Sequence, residues 1–153
     1  MSAHAETRIV PYAADLMYRV VADVEKYPAF LPWVVALRVL ARDNVKGHET
    51  VTAEMAVGYG ALRETYTSRV VLDPDARTID VAQTSGPFKV LENHWRFTPM
   101  GASCRIEFSI AYEFKSRILN AVAGAAFGKV YVKMADAFEA RAEALSDQPV
   151  QQG

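Results

Sequence analysis

The dominant pattern in this chain is an alternation of apolar and polar residues between Val35 and Ser116, which predicts β-strands. It is clearest from Cys104 to Phe114, where apolar residues occupy every second position and charged or small residues lie between them. A strand with one apolar and one wet face is typical of an antiparallel sheet covered on a single side. The pattern predicts about six sequential strands, separated by turns at Gly58–Gly60, Asp73–Asp75, Ser85–Pro87 and Pro99–Gly101.

The strands are preceded by a different pattern. Thr7–Val10 predicts a short strand, with the residues before it, including His4, frayed. Apolar residues at helical spacing then predict a helix over Asp15–Val24. Tyr27 and Pro28 interrupt it, and a second short helical turn is expected over Ala29–Val34.

The last third of the chain predicts one long helix. No proline occurs from Arg117 to Leu145, and apolar residues recur at steps of three and four. A helix of that length reaches roughly 43 Å and can cross the full width of a sheet. The predicted fold is therefore α+β and helix-grip: a curved antiparallel sheet of six to seven strands wrapped on a long C-terminal helix, with two short helices after the first strand. A curved sheet and a straight helix cannot touch along their whole length, so a pocket is expected between them.

Composition narrows the class of protein. The 153 residues suit a single domain, expected over residues 1–146, with 147–153 as a disordered tail. The net charge of -1 gives no support for DNA binding. A single cysteine, Cys104, excludes an internal disulfide and a cysteine zinc cluster. The polar N-terminus and short apolar runs predict a cytoplasmic protein, with any membrane contact peripheral, on the inner face.

No catalytic arrangement is recognisable. The three histidines, His4, His48 and His94, fall in the terminus, a turn and a solvent-facing strand position, and no nucleophile–base motif is present. Cys104 is expected to be a small buried apolar residue. We therefore expect no enzymatic activity, no catalytic residue, no metal site and no required cofactor.

Polar residues at inward positions favour a hollow core over a filled one. Glu64, Ser68, Gln83 and Asn93 fall on the predicted apolar faces, where an unpaired polar group costs free energy. A pocket with a few converging polar groups is how ligand sites are built. The proline-stiffened segment Tyr27–Val34 is expected at the mouth, as a plug or as a membrane-touching rim. Gly124 and Gly128 leave two interpretations open, close packing or a gap under the helix.

Three motifs resemble a known family. They are Tyr27-Pro28-x-Phe30-Leu31-Pro32-Trp33, then Gly86-Pro87-Phe88-x-x-Leu91-x-x-x-Trp95-x-Phe97-x-Pro99, then Met134-x-x-Ala137-Phe138-x-x-Arg141-Ala142. In this order and spacing they resemble the coenzyme Q-binding (polyketide cyclase/START-like) family. The resemblance implies a helix-grip fold, binding of ubiquinone or a related isoprenoid lipid, and support of respiratory electron transport or quinone biosynthesis. Val34 and Leu37 depart from the family's frequent cysteine and serine, which makes the mouth more apolar.

The resulting hypothesis is a non-enzymatic carrier with ubiquinone, another isoprenoid quinone or another apolar small molecule in its cavity. The predicted ligand-binding residues combine the motif positions with inward apolar positions: Phe30, Leu31, Pro32, Trp33, Tyr66, Pro87, Phe88, Leu91, Trp95, Phe97, Phe108, Ile110, Tyr112, Phe127, Val130 and Met134. Two alternatives stay open. One is a ribosome-association toxin of a toxin–antitoxin pair, since a bacterial branch of the family is of that kind. The other is a cyclase-like enzyme in the same cavity, using an acid or base such as Glu64.

Overall fold

A seven-stranded antiparallel sheet forms the body of the computed structural model, which describes residues 2–59, 62–121, 129–130 and 133–146. The spatial order is β1-β7-β6-β5-β4-β3-β2, so every strand after β1 is the neighbour of the next one in sequence and β1 closes against the last. The strands are β1 (Ser2–Val10), β2 (Val34–Val45), β3 (His48–Tyr59), β4 (Leu62–Asp73), β5 (Thr78–Ser85), β6 (Phe88–Met100) and β7 (Ser103–Phe114). The predicted fold class is confirmed.

The first strand is longer than predicted. β1 begins at Ser2, and His4 pairs with Ile110 in the ladder with β7, so the prediction of a frayed terminus is wrong there. The residues before Thr7 are polar and small, and a strand at the edge of a sheet tolerates such residues because half of its surroundings are solvent. The length of β1 is determined by its pairing with β7 along the whole strand, and not by the pattern of apolar and polar residues in β1 itself.

The helices that follow β1 are shifted relative to the prediction. Helix α1 covers Ala14–Ala22, a 3-10 turn covers Val24–Lys26, and α2 covers Tyr27–Phe30. The predicted second turn over Ala29–Val34 was therefore placed too late. Pro28 lies in the first turn of α2, where a missing N–H costs nothing and the fixed φ favours helix.

The C-terminal helix is interrupted. Residues 117–121 and 129–130 are helical, and helix α3 covers Met134–Ser146, but Lys133 lies in a turn. Its N–H donates to the carbonyl of Val130, three residues earlier, at 3.2 Å, which is tighter than a helical i→i−4 bond. The prediction of one continuous helix from Arg117 to Leu145 is therefore wrong at Lys133. Phe127, Gly124, Gly128 and the predicted tail 147–153 lie outside the described residues.

The core lies between the inner face of the sheet and the helices. In β6, Leu91, Asn93, Trp95 and Phe97 are buried, while the residues between them are exposed. An ionic contact fastens α3 to the sheet: the Arg8 guanidinium in β1 lies 2.8 Å from the Asp136 carboxylate and 3.1 Å from that of Glu139. This contact holds α3 over the inner face at the β1 end of the sheet.

Candidate functional site

A cavity of about 90 Å³ lies between the inner face of the sheet and the helices that cover it. Its walls come from β3 to β7, from the segment between Val24 and Leu37, and from Val130, Met134 and Phe138. The described lining residues are nearly all aliphatic or aromatic, and none of them carries a charged side chain. Such a site favours an uncharged apolar guest, because a buried unpaired charge is strongly unfavourable.

An aromatic cluster forms one wall of the cavity and the packing behind that wall. The indole of Trp95 lies 4.5 Å from the ring of Phe108 and 5.3 Å, nearly perpendicular, from that of Phe138 (ring centroids). Phe138 also packs edge-to-face on Tyr27 and Phe30, at 5.3 and 5.5 Å. These perpendicular contacts are the favoured geometry for aromatic rings. They join α2, α3 and β6 around one wall of the cavity.

Asn93 is a cavity-lining polar residue whose hydrogen bonds are made within the protein. Its carbonyl oxygen accepts from the Trp95 indole N–H at 2.8 Å, and its amide donates to the Ser109 carbonyl at 2.9 Å. Asn93 thus fixes the orientation of the indole. The inward polar residue Gln83 is also paired: it donates to the Phe88 carbonyl at 2.7 Å and accepts from the Phe88 N–H at 2.9 Å.

The hydroxyl groups in the cavity differ from one another. The Tyr27 hydroxyl donates to the carbonyl of Val21, and burial strongly raises the Tyr27 pKa. Ser68, which is only 6% exposed, has a side-chain oxygen without a hydrogen-bond partner. Tyr66 lies two residues earlier on the same face of β4, and burial also raises its pKa strongly, so its phenol stays protonated at neutral pH.

Part of the predicted ligand-binding set lies around this cavity. The members that line it are Leu31, Trp33, Tyr66, Leu91, Trp95, Ile110, Val130 and Met134. Val34 and Leu37, the two departures from the family pattern, also line it, so the cavity is more apolar at this side than the resemblance implied. Both tryptophans of the chain are therefore cavity residues.

The remaining predicted residues lie elsewhere, with Phe127 outside the described residues. Phe88, Phe97, Phe108 and Tyr112 are buried in the core without lining the cavity. Phe30 and Pro87 are half-buried and Pro32 is exposed, and none of the three is a described lining residue. Direct contact of these residues with a ligand stays a prediction.

Sequence reasoning left several lining residues out of the predicted set. They are Val24, Tyr27, Val34, Leu37, Ala53, Met55, Val57, Ser68, Val70, Val81, Asn93 and Phe138. The alternation along β3 and β4 already placed five of these on the inner face: Ala53, Met55, Val57, Ser68 and Val70. What it could not supply was curvature, which decides which inward residues of neighbouring strands face the same space.

Three catalytic candidates weighed from the sequence, Glu64, His94 and Cys104, are not among the described lining residues. Glu64 is half-buried and is not a described lining residue, and His94 is exposed on the outer face, 2.7 Å from Asp80. Cys104 is fully buried, and burial raises its pKa, which disfavours the reactive thiolate. Over the described residues, no group of three or more His, Cys, Asp or Glu side chains is placed to hold a metal ion. Within the same residues, no helix has the length and apolarity needed to cross a bilayer.

Comparison with known proteins places this arrangement in context. Residues 10–139 match the family described as polyketide cyclase / dehydrase and lipid transport. The ribosome association toxin RatA of Rickettsia prowazekii is 34% identical over 94% of this chain and 97% of its own. The mitochondrial coenzyme Q-binding protein COQ10 of Drosophila melanogaster is 33% identical over 88% of this chain and 56% of its own. The solution structure of the 18 kDa protein CC1736 from Caulobacter crescentus superimposes with a TM-score of 0.77 at 42% identity, covering 95% and 99% of the two chains.

Proposed function

The chain belongs to the polyketide cyclase / dehydrase and lipid transport family, and from that premise we propose that it is a non-enzymatic carrier of an isoprenoid quinone. The observation that carries the proposal is the uncharged, aromatic-walled cavity between sheet and helices. Apolar surface removed from water supplies about 25 cal/mol per Å². No cofactor is required for this role, and contact with the inner face of a membrane would serve loading and release.

The proposal depends on the volume of the cavity, which is small for a ligand site. Small-molecule sites usually measure about 300–1,000 Å³, whereas this cavity measures about 90 Å³. We infer a closed form here, whose walls separate when a guest with an isoprenoid tail enters. The quinone ring would occupy the space beside Trp95 and Tyr66, with the tail leaving along Ile110, Val130 and Met134.

A direct test uses the two tryptophans as reporters. Quinones quench indole fluorescence at short range, and both Trp33 and Trp95 line the cavity. Titration with a ubiquinone analogue carrying a short tail is expected to quench the emission to saturation. Ala53→Leu places an isobutyl group inside the cavity and is expected to weaken the binding at least tenfold.

Ala56→Leu is the matched control. Ala56 is half-buried on the outer face of the same strand and does not line the cavity, so the same substitution there is expected to leave quenching unchanged. Equal quenching of the Ala53→Leu variant and the native protein would mean that the quinone binds elsewhere, and the proposal would fail.

Enzymatic chemistry has little support in this cavity. The described lining residues include no Asp, Glu, His, Lys, Arg or Cys, and the only titratable groups among them are the phenols of Tyr27 and Tyr66. General acid–base catalysis near neutral pH needs a group whose pKa lies near that value, and burial raises both phenol pKa values away from it. Turnover of a polyketide substrate by the purified protein would contradict this conclusion.

A second candidate function is association with the ribosome, as in the toxin branch of the family. The observation that favours it is the 34% identity, over nearly the whole chain, to a protein named for that property. A cytoplasmic location suits both functions. Co-sedimentation with isolated ribosomal subunits at physiological salt tests it; a chain that stays in the supernatant has no such association.

A further inference from the structure

Among the described residues that line the cavity, Ser68 has a buried side-chain oxygen without a hydrogen-bond partner. The Ser68 hydroxyl is buried, lines the cavity and accepts or donates no hydrogen bond, whereas Asn93 and Tyr27 both bond to protein atoms. Buried polar groups in native proteins are nearly always paired, and an exception calls for an explanation. A group left unpaired beside an empty space is placed to bond with what fills that space.

The neighbours of Ser68 leave its hydroxyl open to the cavity. Its cross-strand partners are Ala53 on β3 and Gln83 on β5. Ala53 is too small to cover the hydroxyl and has no polar side-chain atom. Gln83 uses its side-chain amide to bond to the backbone of Phe88, and no hydrogen bond joins it to the Ser68 hydroxyl.

Tyr66 adds a second hydroxyl to the same side of the cavity. The Cα atoms of residues two apart on one strand face are separated by roughly 6.6 Å along the strand. The Tyr66 ring is held edge-to-face against Phe88, with centroids 5.3 Å apart. Tyr66 therefore brings a second polar side chain to the β4 wall, while the rest of the described lining offers mainly carbon atoms.

We propose that Ser68, supported by Tyr66, is the polar contact of the cavity and hydrogen-bonds to an oxygen atom of an uncharged lipid. The guest would lie with its oxygen-bearing end against β4. A carboxylate or phosphate is disfavoured, because no described lining residue carries a positive charge to pair with it. This inference rests on the proposed function, since it assigns an orientation to the bound guest.

The test compares two guests and two variants. The guests are the short-tailed ubiquinone analogue, which carries carbonyl oxygens, and squalene, an isoprenoid hydrocarbon that has none and is measured by its displacement of the quinone. Ser68→Ala is expected to weaken quinone binding about fivefold, the effect of one hydrogen bond, and to leave squalene binding unchanged. Ser109→Ala makes the same change on the outer face and keeps the carbonyl that Asn93 uses, so it is expected to alter neither.

The outcomes separate the two proposals. If the native protein binds neither guest, the proposed function fails. If it binds quinone and Ser68→Ala binds it equally well, the Ser68 contact is wrong while the carrier function stands. Equal weakening of both guests in Ser68→Ala would show a change in cavity shape and would also overturn the contact.

A measurement without any guest provides an independent check. Removing an unpaired buried hydroxyl relieves its desolvation cost, so ligand-free Ser68→Ala is expected to melt about 3 °C higher than the native protein. The melting temperature of Ser109→Ala is expected to lie within about a degree of that of the native protein, as is usual for a surface substitution. A lower melting temperature for Ser68→Ala would show that its hydroxyl is already bonded in the free protein, which contradicts the inference.

Discussion

Substitution of Gly86 by alanine is expected to disturb the cavity wall, because the added methyl group would collide with Tyr66. Gly86 follows β5 with φ of +151°, a conformation that side chains rarely adopt. A Cβ added there would lie 2.5 Å from the Cβ of Tyr66 and 2.7 Å from the Gln83 side-chain oxygen. The Tyr66 Cβ is fixed to the backbone of β4, so no change of rotamer relieves the first contact.

The expected cost can be assembled from its physical parts. The backbone strain of a residue other than glycine in this region costs about 1–3 kcal/mol, and overpacking costs about 1–3 kcal/mol. Displacement of Gln83 also weakens its two hydrogen bonds to Phe88, at 2.7 and 2.9 Å. A loss of about 4 kcal/mol lowers the melting temperature of a protein of this size by roughly 12 °C.

Gly101→Ala provides the matched control. Gly101 has φ of +67°, and an added Cβ there meets no atom within 4 Å. The Gly101→Ala variant therefore bears only the conformational cost of about 1 kcal/mol, which lowers the melting temperature by roughly 3 °C. Thermal unfolding followed by circular dichroism measures both variants, and the quinone titration of Gly86→Ala is expected to be weakened because Tyr66 moves. Equal melting temperatures for the two variants would show that the collision at Tyr66 does not determine the stability of this turn.

Three further predictions concern stability. Phe138→Ala, which removes the ring shared by α2, α3 and the cavity wall, is expected to cost about 3–5 kcal/mol in urea unfolding; a loss below about 1 kcal/mol would contradict its role. Arg8→Gln is expected to cost about 1 kcal/mol at low salt and less in 1 M NaCl; an unchanged loss at high salt would exclude an ionic cause. Burial raises the pKa of Tyr18 to about 12 and that of Tyr66 further, so the unfolded chain ionises first and the free energy of unfolding falls as pH rises above about 10. Tyr66→Phe is expected to make that fall shallower, and an identical pH profile would contradict it.

The sheet could be predicted from the sequence because its signal is local. Alternation along Cys104–Phe114 fixes which side of β7 is buried, and the turns at Gly86 and Gly101 mark the strand ends. The extension of β1 back to Ser2 was not predictable, because it depends on pairing with β7, more than 100 positions along the chain. The interruption at Lys133 was likewise not predictable, because no proline or glycine marks it.

The candidate site could be predicted only in part, because the curvature of the sheet and the hydrogen bonds of individual side chains decide it. Inward polar residues suggested a hollow core, but three of them differ in ways that the pattern does not reveal. Asn93 bonds to Trp95 on its own strand and to Ser109 on β7, and Gln83 bonds to Phe88 across the turn between β5 and β6. Ser68 is left unpaired beside the cavity. Only the three-dimensional contacts separate the structural amides from the hydroxyl that a ligand could use.

Identification of the lipid that co-purifies with the protein tests the central claim most directly. The native protein, Ala53→Leu and Ala56→Leu are purified without detergent, extracted with organic solvent, and the extracts compared by mass spectrometry. An isoprenoid quinone recovered in stoichiometric amount from the native protein and Ala56→Leu, and lost from Ala53→Leu, is the expected result. Extracts that hold no quinone or other isoprenoid, or that hold the same amount in all three proteins, would contradict the carrier function.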